Sequence, residues 1–298
     1  MYKNLSPRAL GITGRQSEII ELALTYGFHG MELDLADFSK RVEYRDLEYA
    51  SRFVQSANIN IGGFDLPVRW RGDEEIYKAD LSKLDSLVVQ AAHLGAKSCR
   101  TLVMPGSDDL PYHENFEQHR QRLSEMAEML AKHGIRLGVG FLAAPMHREE
   151  QQYEFIRDAE ALVTLIKSVA HDSVGLMLDT WNWHFGGSTM DLLTGLEVSL
   201  IESVHLADAS AESDAAVITD EHRVLPGQDG AVKNIDILTH FNKNGYEGPV
   251  TLAPHPKCFS GMTRDNIVQR CSSVFDQLWR AVGVGRVAEP AAAVARGG

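Results

Sequence analysis

The run VGLMLDTWNWHFGG is apolar from Val174 to Leu178, ends on Asp179, and continues into Trp181, Trp183 and His184 before Gly186 and Gly187 close it. An apolar strand that delivers a carboxylate into a polar, aromatic segment puts an acid where it holds a metal or carries a proton; the alternative is that Asp179 caps the turn or helix that follows. The indoles of Trp181 and Trp183 suit stacking on the apolar face of a sugar ring, or anchoring of the loop. A second run, ESVHLADAS, alternates as a strand does, with Ser203, His205 and Ala207 on one face and Val204, Leu206 and Asp208 on the other. His205 then points inward near a strand end, as a hydrogen-bonded core residue or as a ligand and proton carrier. The following DEHRVLPGQDG brings His222 and Arg223 into a polar loop. The forked guanidinium of Arg223 suits hydroxyl, carboxylate or phosphate oxygens, against the plainer reading of exposed loop charge.

Weaker signals lie upstream. Glu32 and Asp34 sit two apart on one strand, so both share a face, and Glu32 reads as a substrate contact or as a structural group. Arg100 inside SCRTLV needs a partner within the fold, and a buried ion pair is the expected one. Arg69, Trp70 and Arg71 fall after the third apolar run, in a loop over the pocket or, as the plainer reading, a solvated loop. Gly106, Gly227 and Gly230 could offer backbone amides to a phosphate, but neither a P-loop nor a GxGxxG motif is present, so a phosphorylated substrate is not implied.

The elements that must position these groups follow a repeated pattern of short apolar runs and amphipathic segments, the signature of βα units around a parallel sheet. Eight such runs are read as strands: Ala9 to Thr13, Gly30 to Asp34, Ile59 to Phe64, Lys97 to Val103, Ile135 to Phe141, Val174 to Asp179, Ile201 to Ala207, and Pro249 to Ala253. Between them, Phe116, Leu123, Met126, Ala127 and Leu130 share one helical face, and Ser17 reads as an N-cap before Ile19, Ile20 and Ala23. A weak repeat, LTYGFHGMEL, AHLGAKSCRTLV, AKHGIRLGVGF and NKNGYEGPVTL, sets Gly27, Gly95, Gly134 and Gly245 between a helix end and the next strand, where a left-handed C-cap is expected. One barrel over residues 1–283 accounts for the length of 298, and the Ala-, Gly- and Pro-rich residues 284–298 read as a mobile tail.

Composition narrows the partners. A net charge of −12 disfavours nucleic acid and anionic membrane surfaces, and no uncharged apolar run approaches the roughly 18 residues that span a bilayer. Three cysteines without CxxC spacing argue against a disulfide framework or a structural zinc site. The opening residues lack the pattern of a secretory signal, so a cytoplasmic location is expected.

HGMEL, RLGVGF, LDTWNWH, SVHLAD, HRVLPGQDG and GYEGPVTLAP, in this order and on successive strands, resemble the sugar phosphate isomerase/epimerase group of xylose-isomerase-like (β/α)8 barrels, over about Leu10 to Trp279. The resemblance implies a TIM barrel, a small sugar or polyol as ligand, and the pairing of chains into a homo-oligomer. It also implies a divalent metal held by Glu, Asp, His and Glu on the fifth to eighth strands. Asp179 and His205 match the middle pair. Gly140 and Ala253 stand where the outer glutamates would be, and with them go the family's proton carriers.

Three readings follow. The first is an isomerase or epimerase that moves a proton beside a carbonyl, centred on Asp179 and His205, with Trp181, Trp183, His184, His222, Arg223 and Glu32 around the ligand. Its metal, Mn, Mg or Zn, would need a rebuilt set of Asp179, His205 and His255, with His184 and His147 in reserve. The second is a sugar-binding barrel without catalysis; the third is a metal-dependent lyase or hydrolase on the same scaffold.

Overall fold

The computed structural model describes residues 1–227 and 230–284; the expected tail, apart from Val284, lies outside the described residues. In chain order the elements are β1 (Tyr2–Leu5), α1 (Gln16–Thr25), β2 (Gly30–Leu33), α2 (Leu35–Tyr44), α3 (Leu47–Ala57), β3 (Asn60–Asp65), α4 (Glu74–His93), β4 (Ser98–Val103), β5 (Gly106–Ser107), α5 (Tyr112–Ala131), β6 (Arg136–Phe141), β7 (Tyr153–Glu154), α6 (Ala159–Val169), β8 (Val174–Asp179), α7 (Thr180–Phe185), α8 (Met190–Thr194), β9 (Ile201–Leu206), α9 (Asn234–Lys243), β10 (Pro249–Leu252) and α10 (Arg264–Val282). Eight strands close into a barrel in the order β1-β10-β9-β8-β6-β4-β3-β2, every pair parallel. The short β5 and β7 pair antiparallel outside it. The chain is therefore a TIM barrel.

Seven of the expected strands match within one residue at either end. The first does not. Tyr2–Leu5 closes the barrel by pairing with Pro249–Thr251 on one side and Gly30–Met31 on the other. Residues 9–13 form turns instead, in which Leu10 N donates to Ser6 O at 3.3 Å and Ile12 N to Pro7 O at 3.0 Å. Leu10 and Ile12 are buried, so the apolar run is a loop anchor. Ser17 lies inside α1, whose N-cap is Arg15; the Glu18 carboxylate accepts the Arg15 amide at 3.1 Å.

On α5, Leu123, Met126, Ala127 and Leu130 are fully buried on one face at the i, i+3, i+4, i+7 spacing that core packing requires. Gly27, Gly95, Gly134 and Gly245 hold φ of 71°, 82°, 70° and 75° between helix and strand, a conformation that costs other residues strain. Cys99, Cys258 and Cys271 carry free thiols. No helix among the described residues is long and apolar enough to cross a membrane.

Inside the barrel Asn4 fills the space that glycine leaves. Its amide donates to Thr251 Oγ1 at 2.9 Å, and a Cβ on Gly62 would lie 2.1 Å from its Oδ1. Gly62→Ala is expected to lower stability by about 1–3 kcal/mol through overpacking. Asn4→Ala in the same chain should recover part of that loss, read by urea denaturation of the two single variants and the double.

Candidate functional site

The C-terminal ends of the strands open into a cavity of about 480 Å3. Carboxylates reach it from Glu32 on β2, Asp65 on β3, Asp179 on β8 and Asp220 in a short turn. Guanidinium groups reach it from Arg100 on β4, from Arg223 in the loop before α9, and from the exposed Arg8 and Arg71; His205 on β9 also lines it. This is where a barrel of parallel strands presents its reactive groups.

The charges are paired tightly. Glu32 accepts from Ser6 Oγ and from Arg100 Nη1, and Arg100 Nε donates to Asp65 Oδ1 at 2.8 Å. Arg8 binds the other oxygen of Asp65. Burial alone would lower the Arg100 pKa, but Glu32 and Asp65 outweigh it and raise it, so the guanidinium stays charged. Asp179 takes the capping role that was the alternative for its position, since Oδ1 accepts the Asn182 amide at 2.9 Å as the N-cap of α7, and its Oδ2 binds Arg223 Nη2, a pairing the sequence did not suggest. Arg223 Nε also donates to the Ala253 carbonyl at 3.1 Å. Against the cost of burial, Arg100 and Arg8 hold the Asp65 carboxyl below its usual range.

His205 differs from these groups. Its Nε2 is buried without a hydrogen-bond partner, and the nearest carboxylate oxygen that pairs with it, Glu32 Oε1, is 4.0 Å away. Burial first, then the Arg100 charge beside it, push the imidazole pKa down, while Glu32 and Asp179 pull it up and Arg223 pushes it down further. The net direction is downward, which keeps the ring neutral and able to accept a proton.

Trp181 and Trp183 do not line the cavity. They coil into the six-residue α7 and turn inward, with 0% and 3% of their surface exposed. Trp181 packs among Ala144, Ala207, Ala209, Ile218 and Val232, and the Arg223 guanidinium lies 4.9 Å from its ring centroid, so the indole supports the arginine and is not open for stacking on a sugar ring. Trp183 donates from Nε1 to Thr189 O at 3.3 Å. His184 is outside the cavity, edge-on to Phe185 at 4.8 Å. His222 is exposed, with Nδ1 accepting the Thr219 amide at 3.0 Å. Glu32, Asp179, His205, Arg223 and His255 are brought together at the cavity wall.

The expected metal set does not form. His255 begins a turn at Pro256, and its Nδ1 accepts the Lys257 amide at 3.2 Å. His147 is committed to Asp220 at 2.8 Å. A Cβ on Gly140 would meet Met177 Cε at 2.6 Å and Leu102 Cδ2 at 2.9 Å, so apolar atoms fill the place where the resemblance puts a glutamate. Among the described residues no three His, Cys, Asp or Glu side chains are gathered closely enough to hold a metal. Hard divalent cations require several oxygen ligands, and two arginines flank the single Asp and His that remain. This donor set does not fit a divalent cation.

Sequence reasoning missed Asp65, Ser6 and Arg8. Asp65 ends a strand just as Asp179 does, in GGFDLP, and strand-end placement alone would have found it. Ser6 and Arg8 follow the strand that was misplaced, which hid their position at the rim.

The model of the family described as "Xylose isomerase-like TIM barrel" matches residues 20–269, and the chain belongs to that family. An inosose isomerase of Halalkalibacterium halodurans is 28% identical over 133 residues, 44% of this chain and 43% of the relative, so the match spans less than half of that protein. Among solved structures, a xylose isomerase domain protein from Alicyclobacillus acidocaldarius superposes with a TM-score of 0.85 at 22% identity, covering 95% of this chain and 99% of that one. The IOLI protein, solved with a bound zinc atom, gives a TM-score of 0.78 at 17% identity over 95% and 98% of the two chains. At these identities the structural likenesses establish the fold.

The Asp179–Arg223 pair has a measurable consequence for stability. Arg223→Ala leaves a buried carboxylate unpaired and is expected to cost about 3–5 kcal/mol. The double variant Asp179→Asn, Arg223→Met, which carries neither charge, should recover most of that loss in urea denaturation.

Proposed function

We propose that the chain is an isomerase or epimerase that moves a proton beside the carbonyl of a small polyhydroxylated keto compound. The observation that carries this reading is a buried, neutral imidazole, His205, set among two guanidinium groups whose charge is permanent. The relatives named inosose isomerases support a ligand of the keto-polyol kind.

In this reading His205 takes the proton from the carbon beside the carbonyl, and the electron pair of that C–H bond moves onto the carbonyl oxygen as an enediolate. Arg100 and Arg223 donate to the developing oxyanion from fixed positions, which lowers the barrier without reorganisation. Glu32, near the ring, stabilises the imidazolium that forms. Return of the proton from His205 to the neighbouring carbon on the same face, with the hydroxyl proton passing between the two enediol oxygens, gives the isomer and restores the neutral imidazole. Epimerisation requires a second proton carrier on the opposite face, so a single imidazole favours isomerisation. The positive charge that a metal supplies in metal-dependent enolisation comes here from arginine.

A second reading, a binding barrel without turnover, is favoured by Gly140 and Ala253 at the positions of the family's two glutamates. The two readings separate in deuterium oxide. Incubated with an inosose, the wild-type protein is expected to place deuterium on the carbon beside the carbonyl, followed by proton NMR, and His205→Gln to slow this by about 100-fold or more. Because the His205 pKa is lowered from 6.5, the exchange rate should hold steady as pH falls to that value and decline only below it. Binding of the inosose without exchange, or undiminished exchange in His205→Gln, contradicts the catalytic assignment.

A further inference from the structure

Beside the functional cavity lies a second one of about 600 Å3, bounded by the start of α1, the start of α2 and the ends of β2 and β3. Its walls are largely apolar, with Ile12, Ile19, Met31, Leu33, Leu35 and Phe38 facing it. The mechanism above uses none of these side chains. Arg8, Glu32, Asp65, Leu66 and Arg100 line both cavities, so the two meet along a common wall. The outer part of that wall is the Arg8–Asp65 ion pair, whose side chains are 85% and 46% exposed. An ion pair so exposed is weak and opens at little cost.

One polar group in the second cavity has no partner. Gln16 is 8% exposed, and its Oε1 is buried without a hydrogen bond. Buried amide oxygens are nearly always paired, so an orphan facing a cavity marks a place where a ligand donor completes the bond. Largely apolar walls with one buried, unpartnered acceptor, and the exposed carboxylates of Asp34 and Asp37 at the rim, suit an aromatic or aliphatic group that carries a hydroxyl. The polar cavity next door suits the opposite chemistry, hydroxyls and a carbonyl among fixed charges.

We infer that the second cavity receives an apolar, hydroxyl-bearing substituent of the same ligand, an aglycone-like group joined to the polyhydroxylated part held in the first cavity. The linkage crosses at the Arg8–Asp65 pair. This inference rests on the reading of the first cavity as the substrate site, and the test keeps the two apart.

Two methionines report on the cavities separately, because Met31 lines the second and Met177 the first. With the full chain labelled at its methionine methyl groups, 4-hydroxyphenyl β-D-glucopyranoside is expected to shift both signals. D-glucose should shift Met177 alone, and phenol Met31 alone. Ala36 is an exposed residue on the wall of the second cavity, and Ala36→Trp should abolish the Met31 response to phenol while the Met177 response to glucose persists. Gln16→Leu should weaken phenol binding by about fivefold, the effect of one lost hydrogen bond. A Met31 signal that ignores both phenol and the glycoside, while Met177 responds, overturns this inference and leaves the proposed function standing. A Met31 response with Met177 silent to every sugar overturns the link between the cavities and speaks against the first as the substrate site. Silence of both signals to the glycoside, to phenol and to an inosose overturns both.

Discussion

Two guanidinium groups are buried at the mouth of this barrel, and most of the site's architecture follows from their need for counter-charge. A buried ion without a partner costs several kcal/mol. Arg100 is therefore gripped by Glu32 and Asp65, and Arg223 by Asp179 and the Ala253 carbonyl. Those pairings commit the carboxylates of the second, third and sixth barrel strands, leaving no cluster of free acids. Among the cavity-lining groups His205 keeps a buried nitrogen without a partner, and burial first, then the Arg100 charge, lowers its pKa. The proposed reaction divides the labour accordingly, with arginines holding negative charge and an imidazole moving the proton.

Gly140 and Ala253, where the resemblance puts glutamates, belong to the same arrangement. Met177 and Leu102 occupy the space in front of Gly140, and the Ala253 backbone is turned to the service of Arg223. Each position therefore has an apolar or cationic neighbour where the resemblance implies an oxygen ligand. Trp181 reinforces this from below, since its indole face supports the Arg223 guanidinium from a closed apolar cluster.

Much of the fold was legible because barrel strands buried on both faces read as short apolar runs, and glycine at helix ends marks where each next strand begins. β1 was not legible, since its sequence YKNL is half polar and its burial comes from closing the barrel, whereas the more apolar residues 9–13 drew attention away. At the site, Glu32, Asp179 and His205 were found because strand alternation and strand ends fix where such side chains point. The tryptophans were misread because nothing in WNWH distinguishes an open loop from a six-residue helix that turns both rings inward. His255 reaches the cavity wall from extended backbone, but its Nδ1 accepts the Lys257 amide at the start of the proline-led turn, which the sequence did not reveal.

The most direct test of this account is the metal content of the protein purified without chelator, measured by mass spectrometry together with the change in Tm on adding Zn2+ or Mn2+. A site whose positive charge is arginine should carry no stoichiometric metal, and neither cation should raise Tm. One metal per chain, lost in Asp179→Ala, would contradict it, and would return the carboxylate and imidazole to the role of ligands.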